Sequence, residues 1–414
     1  MNKKQTYIGL TLLSLLLLAS YITFDKIELF YRLLIGLGFG YALSRAAMGF
    51  AGSVNKLTRT GSSQLASALM LMFVLTALIT SFLIYGNESA YKLSIYPINL
   101  GLIFGGLLFG FGMALSSCCA TGSLTDVASG FSRAVTTIFF LSFGVFLGFK
   151  IQKTSPLVTD SWLSSPIGEQ FKHGVFLPDI FRFDGFNGYL GALIVTAILA
   201  YIVSRLAKRY EKSYYAKNNI SLTEQTPKVL TNFEKIFIEP WSMKVSIVII
   251  SLLFASLLIL YTKGWGASTT LGIWFGKFLM LFGVEASTLA EFTTKKASVF
   301  VTPILQHGPS IQNISIILGA MFYLLIAGSF TKKFVEGLSI APKDFLVFAV
   351  GGFLMGFGTR LSNGCNVGAL YTPISELSLS GWFYLIVVAT GGFIGNWYRK
   401  NHIYKSCPTN TNPS

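Results

Sequence analysis

The chain consists of long apolar runs separated by short polar stretches. A helix needs about 20 residues to cross a hydrocarbon core of about 30 Å, and nine of the runs approach that length. Two shorter runs, 29–43 and 271–284, are interpreted as half-spans or re-entrant helices. The pattern predicts an all-α polytopic membrane protein with about nine full spans plus short half-helices. The long runs are 7–23, 64–85, 93–115, 134–149, 188–206, 245–261, 314–330, 345–361 and 382–397.

Composition supports the membrane class. Of 414 residues, 52% are hydrophobic and 12% are charged, and the mean hydropathy is +0.62. So few charged residues leave too little polar surface for a water-soluble fold of this length. The first run lacks a convincing cleavage site at residues 19–24, and we therefore interpret it as a retained helix rather than a signal peptide.

The net charge of +15 does not indicate a nucleic-acid partner, because the basic residues lie in loops beside the spans. Clusters at 3–4, 205–217 and 399–405 follow or precede apolar runs, and the positive-inside rule places these regions in the cytoplasm. We therefore expect a multi-pass protein of the cell inner (plasma) membrane, with cytoplasmic N and C termini and an external loop at 150–184.

An internal repeat is the strongest signal in the chain. Residues 105–124 read GGLLFGFGMALSSCCATGSL, and residues 351–370 read GGFLMGFGTRLSNGCNVGAL, with 11 of 20 positions identical. About one or two matches are expected by chance. A weaker echo, GLGFGYALSRAAMGFAG at 36–52, has Gly49 at the cysteine position, and TKGWGASTT from Thr262 is a further related stretch.

The repeat predicts an internally duplicated helical bundle with broken or re-entrant helices. The expected organisation is an N-terminal membrane half at 1–207, a cytoplasmic connector at 208–240, a C-terminal membrane half at 241–400 and a polar tail at 401–414. The connector either allows one half to move against the other or is a passive tether.

Each copy of the repeat ends in small polar residues at membrane depth. Glycine spacing alone is explained by close helix packing in lipid, but irregular backbone at that depth requires protein or a water-filled cavity beside it. Helix N-termini at such breaks suit an anion. The predicted path residues are Gly49, Ser117, Cys118, Cys119, Thr121, Gly122, Arg360, Asn363, Gly364, Cys365, Asn366 and Gly368. Lys277, in an apolar run, either attracts an anion or reaches an interface.

The sequence resembles the YeeE/YedE family of membrane proteins. The resemblance rests on GGLLFGFGMALSSCCATG, on GGFLMGFGTRLSNGCNVGAL with the following LSLSGW, and on SRAAMGFAGSVNKLTRTG. It implies an hourglass-shaped, duplicated helical transporter with cysteines along a central constriction, and Cys119 and Cys365 match two of them. Relatives that transport thiosulfate commonly have a third cysteine where this chain has Gly49, and Cys118 stands at a position that is usually glycine.

The resemblance implies a permease that imports a small sulfur-containing anion, thiosulfate-like, along a cysteine-lined path. A neutral thiol is a weak donor and a soft contact, which suits passage more than retention. The alternatives are a selenium-compound transporter and a membrane thiol or persulfide oxidoreductase, although Cys118 and Cys119 lack the CxxC spacing of such enzymes. We expect no enzymatic activity, cofactor or metal. The expected partners are the anion, the lipid bilayer and, as a further possibility, a cytosolic sulfur-carrier protein.

Overall fold

The computed structural model describes residues 3–218 and 239–404, and within these ranges regular structure is helical. No strand occurs in them apart from an isolated bridge between Phe176 and Ser378. The α-helices are α1 Lys3–Thr23, α2 Ile27–Arg45, α3 Phe50–Thr60, α4 Gln64–Ile84, α5 Leu100–Ser116, α6 Ala120–Asp126, α7 Phe131–Thr154, α8 Pro156–Thr159, α9 Tyr189–Asn218, α10 Met243–Tyr261, α11 Ser268–Met280, α12 Ala286–Thr293, α13 Ser298–Val301, α14 Gly308–Ile326, α15 Phe330–Glu336, α16 Pro342–Leu361, α17 Thr372–Ser375 and α18 Leu379–Tyr398.

Shorter elements complete the described chain. Two π-helices follow α-helical segments, at Asn366–Tyr371 and Arg399–Ile403. Four 3₁₀ turns lie in the loops, at Glu88–Ala90, Gly168–Phe171, Leu177–Ile180 and Ile304–Gln306. The all-α prediction is therefore confirmed for the described residues.

Ten helical stretches of the described chain are long and apolar enough to cross a membrane. The sequence predicted about nine full spans, and the difference is α2, whose 19 residues include the run that was expected to be a half-span. That run, 29–43, contains one charged residue, Arg32. In the structure the helix continues through Arg32, because its guanidinium lies 3.8 Å from the centroid of the Tyr261 ring and donates to Gln312 Oε1 at 3.0 Å.

The other short run forms a short helix, as predicted. α11 has 13 residues, which at 1.5 Å per residue extends about 20 Å and does not cross a 30 Å core. It is followed by α12 and α13, which are shorter still. The polar connector at 208–240 is described only at its ends, because residues 219–238 lie outside the described ranges, as do residues 405–414 with Cys407. The described part, up to residue 218, continues the helix α9.

Helices α5 and α16 carry the two copies of the repeat, and they pack directly against each other. A Cβ placed on Gly105 would lie 2.7 Å from the carbonyl oxygen of Gly358, and one on Gly358 would lie 2.7 Å from that of Gly105. Gly112 and Gly351 have the same reciprocal relationship, at 2.4 and 2.8 Å. Because only glycine has no Cβ, these residues permit the antiparallel backbones to touch.

Glycines also permit close contact between α5, α16 and the helices on their outer sides. A Cβ on Gly110 of α5 would lie 2.2 Å from the carbonyl oxygen of Val388 in α18, and one on Gly356 of α16 would lie 2.1 Å from that of Leu141 in α7. Each repeat helix is therefore packed between the other repeat helix and one further helix. This four-helix centre, ordered α7, α16, α5 and α18, positions the chain breaks described next.

Candidate functional site

The chain leaves the helix in the same way after α5 and after α16. The hydroxyl of Ser116 bonds the carbonyl oxygens four residues before and two residues after it, at 2.8 and 3.2 Å. The hydroxyl of Ser362 makes the equivalent contacts at 2.8 and 3.1 Å. Each serine thus joins the last turn of its helix to the carbonyl group of the residue two positions beyond it. The two breaks are built by the same local interactions.

The next residue in each copy has left-handed backbone geometry. The φ angle of Ser117 is 61° and that of Asn363 is 62°. Two residues later each chain reaches its cysteine, and Cys119 and Cys365 occupy the N-cap positions of the following helices. The two thiols therefore lie at equivalent helix starts, where backbone N–H groups lack intrahelical partners.

The helices after the breaks differ in detail. In α6 the Cys119 Sγ accepts a hydrogen bond from the Gly122 backbone N–H, at 3.3 Å. The segment after Cys365 is the π-helix 366–371, and Cys365 makes no side-chain cap bond there. Single π-helical turns occur frequently at functional sites.

Two more helix breaks lie beside these. Ala47 has a φ of 50°, and Gly49 is the N-cap of α3. Thr262 has a φ of 53°, and Ala267 is the N-cap of α11. The sequence echo that contains Gly49 and the glycine-rich stretch from Thr262 therefore both lie at breaks between helices.

A buried aromatic contact joins the break before α11 to the interior of α2. Phe39 of α2 stacks on Trp265 with ring centroids 3.9 Å apart and an interplanar angle of 13°. The ring of Tyr371 meets Trp265 edge-on, with centroids 6.2 Å apart. All three side chains are 1% exposed or less. They form an apolar layer within the same core cluster that contains Cys119 and Cys365.

Three glycines at the breaks face open space and a fourth has room for ordinary contacts, whereas the helix-packing glycines are tightly enclosed. A Cβ on Gly266 or Gly368 would meet no atom within 4 Å, and one on Gly49 would meet only a backbone nitrogen at 4.0 Å. The nearest atom to a Cβ on Gly122 lies 3.5 Å away and belongs to Cys119. The predicted path residues Gly49, Gly122 and Gly368 are therefore beside unfilled volume.

The first cavity, which we call the thiol cavity, has a volume of about 460 Å³. Residues of the break after α5 and of the break before α3 form part of its wall. The predicted path residues that line it are Gly49, Ser117, Cys118, Cys119 and Gly122.

The second cavity, which we call the basic cavity, has a volume of about 320 Å³. Its wall contains Arg32, Lys263 and Lys295. Residues of the break after α16 and of the break before α11 also line it. The predicted path residues that line it are Asn363, Gly364 and Gly368. Three of its residues are thus equivalent, at a spacing of 246, to residues that line the thiol cavity.

The two cavities lie at opposite ends of the same helices. Arg32 of α2 lines the basic cavity and Arg45 of the same helix lines the thiol cavity, about 20 Å further along at 1.5 Å per residue. In α14, Gln312 near the N-terminus lines the basic cavity and Tyr323 near the C-terminus lines the thiol cavity.

Four predicted path residues line neither cavity. Thr121, Arg360, Cys365 and Asn366 are all 2% exposed or less. Cys365 lies close enough to Cys119 for electrostatic interaction. The Asn366 amide donates to the sulfur of Met113 at 3.2 Å, whereas its Oδ1 and the Thr121 hydroxyl have no hydrogen-bond partner among the described residues.

Arg360 links the break after α16 to the start of α11. Its Nη2 donates to Ser268 Oγ at 2.8 Å, and its Nη1 donates to Thr269 Oγ1 at 3.1 Å and Gln152 Oε1 at 3.3 Å. The guanidinium also lies 5.4 Å from the centroid of the Phe149 ring. Its hydrogen-bond partners are neutral, and no ion pair to Arg360 occurs in the described ranges. The structure therefore places a buried positive charge beside the basic cavity.

The ammonium group of Lys277 is held by backbone carbonyl groups. Its Nζ donates to the carbonyl oxygen of Phe300 at 2.6 Å and also to that of Thr302. It lines neither of the two cavities. Of the two interpretations open for Lys277, the attraction of an anion in the path is thus not supported.

Several cations in the wall of the basic cavity or beside it carry no sequence motif. Lys172 in the loop after α8 lies 4.7 Å from the Tyr96 ring centroid, and Lys295 lies 4.7 Å from that of Phe149. Burial lowers the pKa of each lysine to about 8. They are single charges in loops, and only folding brings them together. The one sequence signal for such a cation is a charged residue within an apolar run. Among the cations of this cavity only Arg32 lies in such a run.

The thiols of the described chain are free, at Cys118, Cys119 and Cys365. No group of three or more histidine, cysteine or acidic side chains able to hold a metal ion occurs in the described ranges. The site consists of thiols, small polar groups, cations and open backbone.

A multi-pass helical protein with broken helices between two cavities belongs architecturally to the membrane transport proteins. The chain is a member of the sulphur transport family, whose defining pattern matches residues 45–394.

Similarity to individual relatives extends over most of the chain. It is 25% identical over 377 residues to the thiosulfate transporter TsuA of Spirochaeta thermophila, covering 88% of this chain and 96% of the relative. Identity to the thiosulfate transporter TsuA of Escherichia coli is 20% over 367 residues, covering 88% and 93%. The probable transporter YedE of Escherichia coli matches at 28% over 166 residues, covering 38% and 39%.

Proposed function

We propose that this protein is a permease that imports a small sulfur-containing anion, of the thiosulfate type, across the cell inner (plasma) membrane. The proposed route runs from the basic cavity, through the layer that holds Cys365 and Cys119, to the thiol cavity. The observation that carries the proposal is the room left at Gly49, Gly122, Gly266 and Gly368, four glycines at helix breaks that line the two cavities. The relatives named thiosulfate transporters support the choice of anion.

We further propose that the two breaks arose by internal duplication and form an inverted pair. The reciprocal contacts of Gly105 with Gly358 and of Gly112 with Gly351 support this, because a two-fold axis exchanges such pairs. Inverted repeats place the substrate site where the halves meet. Equivalent residues then present the same chemistry to opposite membrane faces.

The orientation follows from the positive-inside rule. The basic C-terminal part of α9 contacts the chain near the thiol cavity, since the Tyr214 hydroxyl donates to the carbonyl of Arg59, and Arg59 donates to Ser117. We therefore assign the thiol cavity to the cytoplasmic face and the basic cavity to the outer face. Ten crossings, an even number, then return both termini to the cytoplasm.

The chemistry of the two ends suits the inward movement of an anion. Arg32, Lys263 and Lys295 concentrate anions in the basic cavity by long-range attraction. The buried thiols of Cys365 and Cys119 then offer weak, polarizable donors to a sulfur-containing ion. Weak serial contacts permit the ion to leave as readily as it enters.

The test is uptake of radiolabelled thiosulfate into liposomes that contain the purified protein. We expect uptake above that of empty liposomes, with competition by unlabelled thiosulfate stronger than by sulfate or sulfite. Selenium oxyanions in the same competition series test the selenium alternative. Uptake no faster than in empty liposomes for every anion would contradict the proposed function.

A further inference from the structure

A fully buried carboxyl group lies directly behind the wall of the basic cavity. Glu376 follows α17 and is 0% exposed. Its Oε2 accepts a hydrogen bond from the backbone N–H of Ser94. Ser94, Lys263 and Gly264 line the cavity, so only one layer of atoms separates the carboxyl group from the anion space.

The second oxygen of this carboxyl group is poorly hydrogen-bonded within the part of the chain that the structure describes. Glu376 Oε1 has no hydrogen-bond partner among the described residues. It lies against the backbone of Gly264, where an added Cβ would be 2.3 Å from it. Apart from the Ser94 hydrogen bond, only the Gly264 backbone acts on the carboxyl group from this side. So few donors favour the neutral carboxylic acid, because a buried carboxylate requires donors to replace its lost water.

The charged and titratable groups near Glu376 lie on several of the segments that pack around it. Lys263 and Tyr96 interact with it electrostatically, and Lys92 and Arg32 act on Lys263. No ion pair to Glu376 occurs in the described ranges. Burial raises the pKa of Glu376 to about 8, and the Ser94 hydrogen bonds, Lys263 and the Gly264 backbone oppose this shift.

We propose that Glu376 is a proton site linked to anion binding in the basic cavity, a step that rests on the proposed function. The anion binds while the carboxyl group is protonated. When the carboxyl group ionises, its proton passes to cavity water, and the new negative charge behind Ser94 and Lys263 expels the anion. Binding of the anion at alkaline pH accordingly takes up one proton from water at Oε1 or Oε2, with no other bond made or broken.

Calorimetric binding of thiosulfate to the purified protein between pH 7 and 9 tests the link. If only the protonated form binds, one pH unit above the pKa about one molecule in eleven is competent, so affinity falls about tenfold. We expect Glu376→Gln to lose this tenfold fall in affinity between pH 7 and 9. The smaller pH dependence that comes from deprotonation of Lys172 and Lys295 should remain. Glu169→Gln, which removes an exposed carboxylate of the external loop, is the matched control and is expected to behave as wild type.

Two further readouts separate the possible failures. Proton uptake per bound anion, measured in buffers of different ionisation enthalpy, is expected to be smaller in Glu376→Gln than in wild type. Infrared absorption of a protonated carboxyl at neutral pH is expected in wild type and absent in Glu376→Gln, and it requires no anion. Thiosulfate binding with equal proton uptake in both proteins, or a missing infrared band, would overturn the link alone. An intact band without binding of any sulfur anion would instead contradict the proposed function, and the link with it.

Discussion

Gly122 and Gly368 occupy the same position after the two helix breaks, 246 residues apart, and each lines a different cavity. A Cβ on Gly368 would meet nothing within 4 Å, and one on Gly122 would meet only its own segment. A methyl group therefore enters open volume at Gly368 and makes only ordinary contacts at Gly122, so neither substitution disturbs the fold. This separates the effect of a blocked path from the effect of damaged packing.

We expect Gly368→Ala and Gly122→Ala to reduce thiosulfate uptake by about tenfold or more with an unchanged Tm. A tenfold change requires only about 1.4 kcal/mol of added barrier, which a methyl group in a narrow path supplies. Gly130→Ala is the matched control, because its Cβ would have an ordinary contact at 3.4 Å away from both cavities.

The opposite behaviour is expected of Gly356→Ala. Its Cβ would lie 2.1 Å from a backbone carbonyl oxygen of α7, so the helices must separate. Loss of stability, seen as a lower Tm in detergent, should accompany any loss of uptake. A Tm that falls equally in Gly368→Ala would count against open space at that position.

Arg360 is expected to act by positioning α11 as well as by its charge. Arg360→Lys retains the charge but loses the fork of hydrogen bonds to Ser268, Thr269 and Gln152. Leaving the buried Ser268 hydroxyl without its partner costs about 1–3 kcal/mol, so thermal unfolding should begin at a lower temperature and uptake should slow. Lys295→Arg, which also conserves charge, is the control and should retain both. Wild-type stability and uptake in Arg360→Lys would show that charge alone suffices.

Anion binding should weaken as the pH rises through about 8. Burial lowers the pKa of Lys172 and Lys295 to about 8; below that pH they are protonated and attract the anion, and above it they become neutral. A charge pair at about 4 Å contributes about 1 kcal/mol even in water, or about fivefold in affinity for each lysine. Lys295→Met is therefore expected to bind about fivefold more weakly at pH 7 and to show a shallower pH dependence. Titration calorimetry at low and high salt checks the weaker binding and the shallower pH dependence. A wild-type pH profile in this variant would contradict the role of Lys295 in attracting the anion.

The sequence predicted the helices and the breaks because both signals are local. Apolar runs mark the spans, and the matching segments before Cys119 and Cys365 mark the two breaks. The duplication itself stays a prediction that the reciprocal glycine contacts support. α2 has 19 residues and is longer than the run 29–43 from which a half-span was inferred. The partners that stabilise Arg32 within it, Tyr261 and Gln312, are distant in sequence.

The basic cavity was not predictable in the same way. Lys172, Lys263 and Lys295 lie in three separate loops, and Glu376 follows the second motif without any pattern that marks it as buried. Only the tertiary structure brings these charges to one end of α2 and α14. Sequence reasoning identified the break residues through the repeat and missed the electrostatic part of the site.

The central claim, that the ion passes the two equivalent thiols, is tested most directly by thiosulfate uptake in liposomes that contain Cys119→Ala, Cys365→Ala or both, with Cys407→Ala in the polar tail as the control. The account predicts wild-type uptake in the control, a strong reduction in each single variant with unchanged Tm, and no further large loss in the pair, because both thiols serve one route. Unchanged uptake in the double variant would contradict it.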